Sequence, residues 1–125
     1  MSKKLSVIAS FLLALAVAIG AFGAHALKDY FTEFPKYNEI YKTAVLYHFI
    51  HGLAIFAVGW ALTQWKSKLI SIAGICFIFG VVVFSGSLYI LSLTQIGIFG
   101  AITPIGGVAF ILGWVLLGVG IAKSR

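Results

Sequence analysis

The sequence predicts an all-α membrane protein: a four-helix transmembrane bundle with a short interfacial helix between the first two spans. Three observations carry this reading. Hydrophobic residues make up 62% of the 125-residue chain and charged residues only 10%, far below the roughly 25% of a soluble domain. The mean hydropathy is +1.11, more apolar surface than a chain of this size can bury in its own interior. The apolar residues also come in runs of about twenty, the length that crosses a hydrocarbon core, with the cations grouped between them.

The length suits a single domain, 1–125. The first run, 5–24, holds twenty residues without a charge after Lys3 and Lys4. Ala24-His25-Ala26 imitates a signal-peptide cleavage site, but the run exceeds the usual signal core of about 7–15 residues. It therefore reads as a retained first span. The second span, 43–65, lacks Asp, Glu, Lys and Arg but contains His48 and His51, and ends at Trp65-Lys66. The next 54 residues, 69–122, carry no formal charge, which is too long for one span and right for two. Thr94-Gln95, Gly97, Gly100 and Thr103-Pro104 mark the break. Pro104 fits the first turn of a new helix, where no amide partner is lost. The third and fourth spans are therefore expected at about 69–93 and 103–122.

Between the first two spans, Leu27, Tyr30, Phe31 and Phe34 share one face of a helix, with Lys28, Asp29 and Glu33 elsewhere. This short helix is expected to lie in the membrane interface and to end at Pro35, with helix resuming near Glu39. Four spans place the N-terminus, the 64–68 loop and the C-terminus on one side. That side carries Lys3, Lys4, Lys66, Lys68, Lys123 and Arg125, against Lys28, Lys36 and Lys42 on the other. The excess predicts a cell (cytoplasmic) membrane protein with both termini cytoplasmic. The net charge of +6 is thus flanking charge around spans, not a nucleic-acid footprint. The lone Cys76 lies deep in an apolar run and forms no internal disulfide.

Lipid-embedded helices associate where small side chains let backbones approach. The first span offers Ala16, Gly20 and Ala24; the fourth offers Gly106, Ala109, Gly113 and Gly120 on one stripe. These are packing positions for the bundle or for a homo-oligomer, and the spacing does not separate the two.

One polar constellation stands out. Tyr41, Ala44, His48, His51 and Ile55 fall on one face of the second span. Counting at 1.5 Å per residue places His48 and His51 roughly 7–12 Å below the outer surface. Ser85, Ser87 and Tyr89 reach a similar depth on the third span, and His25 ends the first. Polar groups in lipid require partners, and ionisable ones often mark function. His25, His48 and His51 are therefore candidate metal or haem ligands, and Tyr47, Ser85, Ser87 and Tyr89 candidate pocket residues. Against both stands a plainer role: imidazoles that hydrogen-bond neighbouring helices and lock the bundle. No carboxylate lies within a span and no phosphate-binding glycine loop is present, so hydrolytic catalysis is not expected.

Gly20-Ala21-Phe22-Gly23-Ala24-His25-Ala26-Leu27, Tyr47-His48, His51-Gly52-Leu53-Ala54, Ser85-Gly86-Ser87-Leu88-Tyr89, Thr103-Pro104-Ile105-Gly106-Gly107 and Gly113-Trp114 together resemble a family. It is the small membrane-protein family of unknown function in bacterial inner membranes, whose animal relatives are called transmembrane protein 256. The resemblance spans nearly the whole chain. It implies a four-helix membrane protein with a retained first span, and brings no activity, substrate or cofactor. The expected function is a non-enzymatic structural or accessory role in the lipid bilayer. The alternatives are metal or haem binding through the histidines and small-molecule or lipid binding or transport.

Overall fold

A computed structural model describes residues 1–125, and the chain is helical almost throughout. Its elements are α1 (Ser2–His25), α2 (Lys28–Glu33), α3 (Pro35–Gln64), α4 (Lys68–Gly80), a π-helical turn (Val81–Ser85), α5 (Gly86–Thr94) and α6 (Ile98–Lys123). α4, the π turn and α5 form one continuous rod, Lys68–Thr94. That rod, α1, α3 and α6 are the four helices long and apolar enough to cross a membrane. Large apolar side chains such as Phe11, Trp60, Val108 and Ile111 point outward, as a lipid-facing surface requires.

α3 and the α4–α5 rod form the central pair. α1 packs along α3, and α6 along α4 and the π turn, so α1 and α6 sit on opposite flanks. The apolar core runs through Leu5, Ala9, Ile55, Val58, Ile70 and Phe77.

Pro35 both closes α2 and opens α3. Phe34 is held outside the helical region at φ −123°, ψ 71°, because the proline ring disfavours helical geometry in the residue before it. Pro35 itself occupies the first turn of α3, where its missing N–H costs no bond. Helix therefore resumes at Pro35, ahead of the expected Glu39. The apolar face of α2 is turned onto the protein: Phe31 is buried and packs against Tyr41 in a tilted pair, ring centroids 5.1 Å apart. The Tyr30 hydroxyl donates to the Ser92 carbonyl at 2.6 Å. α2 thus caps the end of the bundle.

The break before α6 is shorter than expected. Gln95 takes the left-handed conformation (φ 61°) that ends α5, and α6 begins at Ile98. Pro104 consequently lies inside the helix, not in its first turn. It faces outward, where its missing N–H leaves the Gly100 carbonyl without its helical donor, and the Thr103 hydroxyl beside it donates to the Phe99 carbonyl at 3.0 Å.

The π turn corrects a register. Phe77, Val81 and Ser85 are buried, four residues apart, with Tyr89 following at the same interval. In an α-helix each such step drifts about 40° from the starting face. A wider turn absorbs the drift and keeps Ser85 and Tyr89 on α3.

The small residues divide by face. Gly106, Gly113 and Gly120 are buried. A Cβ at Gly106 would meet the Phe84 backbone, one at Gly113 the Phe77 ring at 2.7 Å, and one at Gly120 the Ile70 side chain at 2.8 Å. This stripe is filled by α4 and the π turn of the same chain, so a surface for a second copy would have to lie elsewhere. On α1 the inward positions are Leu5, Ala9, Ala16 and Gly23. Gly20 is only at ordinary contact distance from Val45, and Ala24 is exposed.

Candidate functional site

The candidate site is a chain of interhelical hydrogen bonds centred on α3. Tyr41, Ala44, His48, His51 and Ile55 are all buried, with His48 2% and His51 4% exposed. Each polar member reaches a different neighbour. The Tyr41 hydroxyl donates to the Ile19 carbonyl of α1 at 2.6 Å. His48 Nδ1 pairs with the Tyr89 hydroxyl of α5 at 2.8 Å. The Ser85 hydroxyl donates to the Ala44 carbonyl at 2.8 Å, and Ser87 pairs with Thr103 of α6 at 2.6 Å.

His51 makes the far connection. Trp114 of α6 donates its indole N–H to His51 Nε2 at 3.0 Å. Nδ1 lies 2.9 Å from the Tyr47 carbonyl one turn back. These partners fix the tautomer: an indole N–H only donates, a carbonyl only accepts, so the proton sits on Nδ1 and the ring is neutral. Phe110 stacks on the imidazole, centroids 3.5 Å apart and planes 9° from parallel. Tyr47 lies parallel on the ring at 6.0 Å. Because α3 and α6 otherwise touch little, His51 with Trp114 and Phe110 is their principal link.

The three histidines do not form a ligand set. No three His, Cys, Asp or Glu side chains gather in a geometry that could hold a metal ion. His25 is exposed at the end of α1, and both nitrogens of His51 are engaged. Among the buried side-chain nitrogens and oxygens, only His48 Nε2 lacks a hydrogen-bond partner. The Leu12 backbone of α1 faces that ring, in a contact short of hydrogen-bond geometry.

Nor do Tyr47, Ser85, Ser87 and Tyr89 surround a shared cavity. Ser85 and Ser87 are buried and bonded, Tyr89 is spent on His48, and Tyr47 lies partly exposed against Phe84 and Phe110. A hollow of about 310 Å³ lies instead between α1 and α3 near Gly20, Tyr41 and Phe49. Trp114 and Phe110 are the participants that sequence reasoning missed. Trp114 stands in the Gly113-Trp114 motif, but nothing in its spacing points to a histidine 63 residues away.

The glycines at α6, the α3 histidines and the Ser85–Tyr89 segment can now be set beside known proteins. The family model described as "Protein of unknown function (DUF423)" matches residues 19–107. The chain belongs to this family. The DUF423 match covers the end of α1, α2, α3, the rod with its π turn and the start of α6, and agrees with the resemblance carried by the sequence motifs. The chain is 46% identical over 110 residues to the UPF0382 membrane protein YwdK of Bacillus subtilis, covering 87% of this chain and 88% of that one. It is 48% identical over 109 residues to a UPF0382 membrane protein of Staphylococcus saprophyticus, with 87% and 88% covered, and 48% over 103 residues to one of Staphylococcus haemolyticus, with 82% of each covered. No solved structure matches. Neither the DUF423 description nor these names carries an activity. The chain is a multi-pass membrane protein of a family whose function is unknown.

Proposed function

We propose that this protein is a non-enzymatic membrane protein with a structural or accessory role, and that its buried histidines lock the bundle. One observation carries the reading: both nitrogens of His51 are bonded within the protein, to the Tyr47 carbonyl and the Trp114 indole. A metal would need one of them free, and a proton relay would need titratable partners, which a backbone carbonyl and an indole are not. The Ser85 and Ser87 hydroxyls likewise bond to neighbouring helices, and His48 does so through Nδ1 alone. The cation excess at residues 3–4, 66–68 and 123–125 supports residence in the cytoplasmic membrane with both termini inside.

Elemental analysis of detergent-purified protein, wild type beside His48→Ala, tests the role of the histidines. The expected result is no stoichiometric metal in either and a lower melting temperature for the variant. About one equivalent of zinc, copper or iron in wild type, lost in the variant, would overturn the reading, since a neutral imidazole is a common ligand for all three.

A further inference from the structure

We propose that the hollow between α1 and α3 is a binding groove for a single anionic phospholipid. Its apolar part, about 310 Å³, runs between Gly20 on α1 and Val45 and Phe49 on α3. A second hollow of about 370 Å³ continues from it under α2, past Thr32. The two share Gly23, Ala24, Asn38 and Lys42, so they form one groove with an apolar end and a polar end.

The groove exists because α1 presents side chains too small to fill it. Its inner wall is fixed: the Tyr41 ring covers Gly23, and its hydroxyl is tied to the Ile19 carbonyl. Along the remaining length, Gly20 and Ala24 leave space facing Val45 and Phe49. A combined volume of this order falls within the range of ligand sites, about 300–1,000 Å³.

Charge selects the occupant. The charged residues lining the groove are Lys28 and Lys42, and no acid lines either part. Glu39 lies 3.8 Å from Lys42, but both side chains are largely exposed, and an exposed pair at this spacing neutralises little. Asn38 adds an amide between the lysines.

Depth agrees with charge. Lys42 is the last ion before the charge-free run of α3, so it stands at the edge of the hydrocarbon, where lipid phosphates lie. From there to Phe49 is about 10 Å of helix, over which the lining becomes apolar. A headgroup phosphate at Lys28 and Lys42 would direct one acyl chain down this slot. Basic pockets between membrane helices recognise anionic headgroups in this way.

Native mass spectrometry in neutral detergent tests the groove, using dioleoyl phosphatidylglycerol and dioleoyl phosphatidylcholine as probes, which differ only in headgroup. Wild type is expected to retain one phosphatidylglycerol in preference to phosphatidylcholine, by about fivefold per lysine engaged. Lys28→Gln with Lys42→Gln should reduce the preference to parity. Lys123→Gln with Arg125→Gln, the same charge removed at the far end, should leave it intact. Val45→Trp, filling the apolar part, should lower retention of both lipids. No adduct with wild type, equal retention of the two lipids, or a preference that survives the Lys28/Lys42 change would overturn the proposal. A preference lost equally in the Lys123/Arg125 variant would also overturn it, by showing attraction to overall charge.

Discussion

The indole N–H of Trp114 donates to His51 Nε2 at 3.0 Å across the bundle, while Phe110, one turn before Trp114 on α6, stacks on the same imidazole at 3.5 Å. Hydrogen bond and stack meet on one ring, so α6 is positioned both along and around its axis relative to α3. Trp114→Phe keeps an aromatic ring and removes the donor. Interhelical polar contacts in membrane proteins average about 0.6 kcal/mol and reach about 1.7. The variant should lose stability within that range, measured by denaturation in mixed micelles, and should do so without losing its fold.

His48 and Tyr89 should behave as a coupled pair. Their contact at 2.8 Å is the bond between the imidazole and α5. A double-mutant cycle with His48→Ala and Tyr89→Phe is expected to return a coupling of about 0.6 kcal/mol or more. Strict additivity would show that the contact contributes nothing to the folded state.

The glycines of α6 differ sharply in what they tolerate. A methyl at Gly106 would strike the Phe84 backbone, which cannot swing aside like a side chain, whereas Gly118 faces open space. Gly106→Ala should cost about 1–3 kcal/mol, the usual penalty of overpacking. Gly118→Ala should leave stability unchanged or raise it by up to about 1 kcal/mol through helix propensity. Thermal melts of the two purified variants, side by side, make the comparison.

The proposed orientation is checked by a reporter fused after Arg125, which should be active in the cytoplasm. Activity on the opposite side would invert the proposed placement of Lys28 and Lys42 without altering the groove.

How much of this was legible in the sequence depends on which coordinate is asked for. Position along a helix is readable, since rise per residue is constant. That is why His48 and Tyr89, 41 residues apart, could be placed at matching depths. The inward face of α3 was readable too, because Tyr41, Ala44, His48, His51 and Ile55 share one period. Direction around α1 was not. Ala16 and Gly23 point inward, and His25, two residues beyond Gly23, is turned about 200° from it, into the open. Depth alone made His25 look like a neighbour of the other histidines. The Pro104 boundary misled for a related reason: proline favours a first turn but does not require one when the surrounding helix can absorb it. The identity of the partner of His51 depends on how α6 lies across the bundle, which no local pattern in either helix encodes.

The π turn at Val81–Ser85 has a bearing on how the gene can change. The wide turn holds one residue more than a regular helix would need for the same facing. Removing a single codon there would leave Ser85 seven residues after Phe77, about 20° from its face in a regular helix, and so would keep Tyr89 toward His48. The same deletion elsewhere on the rod would rotate the Ser85–Tyr89–Ser92 edge by about 100° relative to what precedes it, parting Tyr89 from His48 and Ser92 from the Tyr30 hydroxyl it accepts from. Within the rod, single-residue length variation is therefore tolerated at this turn and closed to the regular helix on either side. Insertions and deletions among relatives should fall at this turn and in the Trp65–Ser67 and Gln95–Gly97 connections.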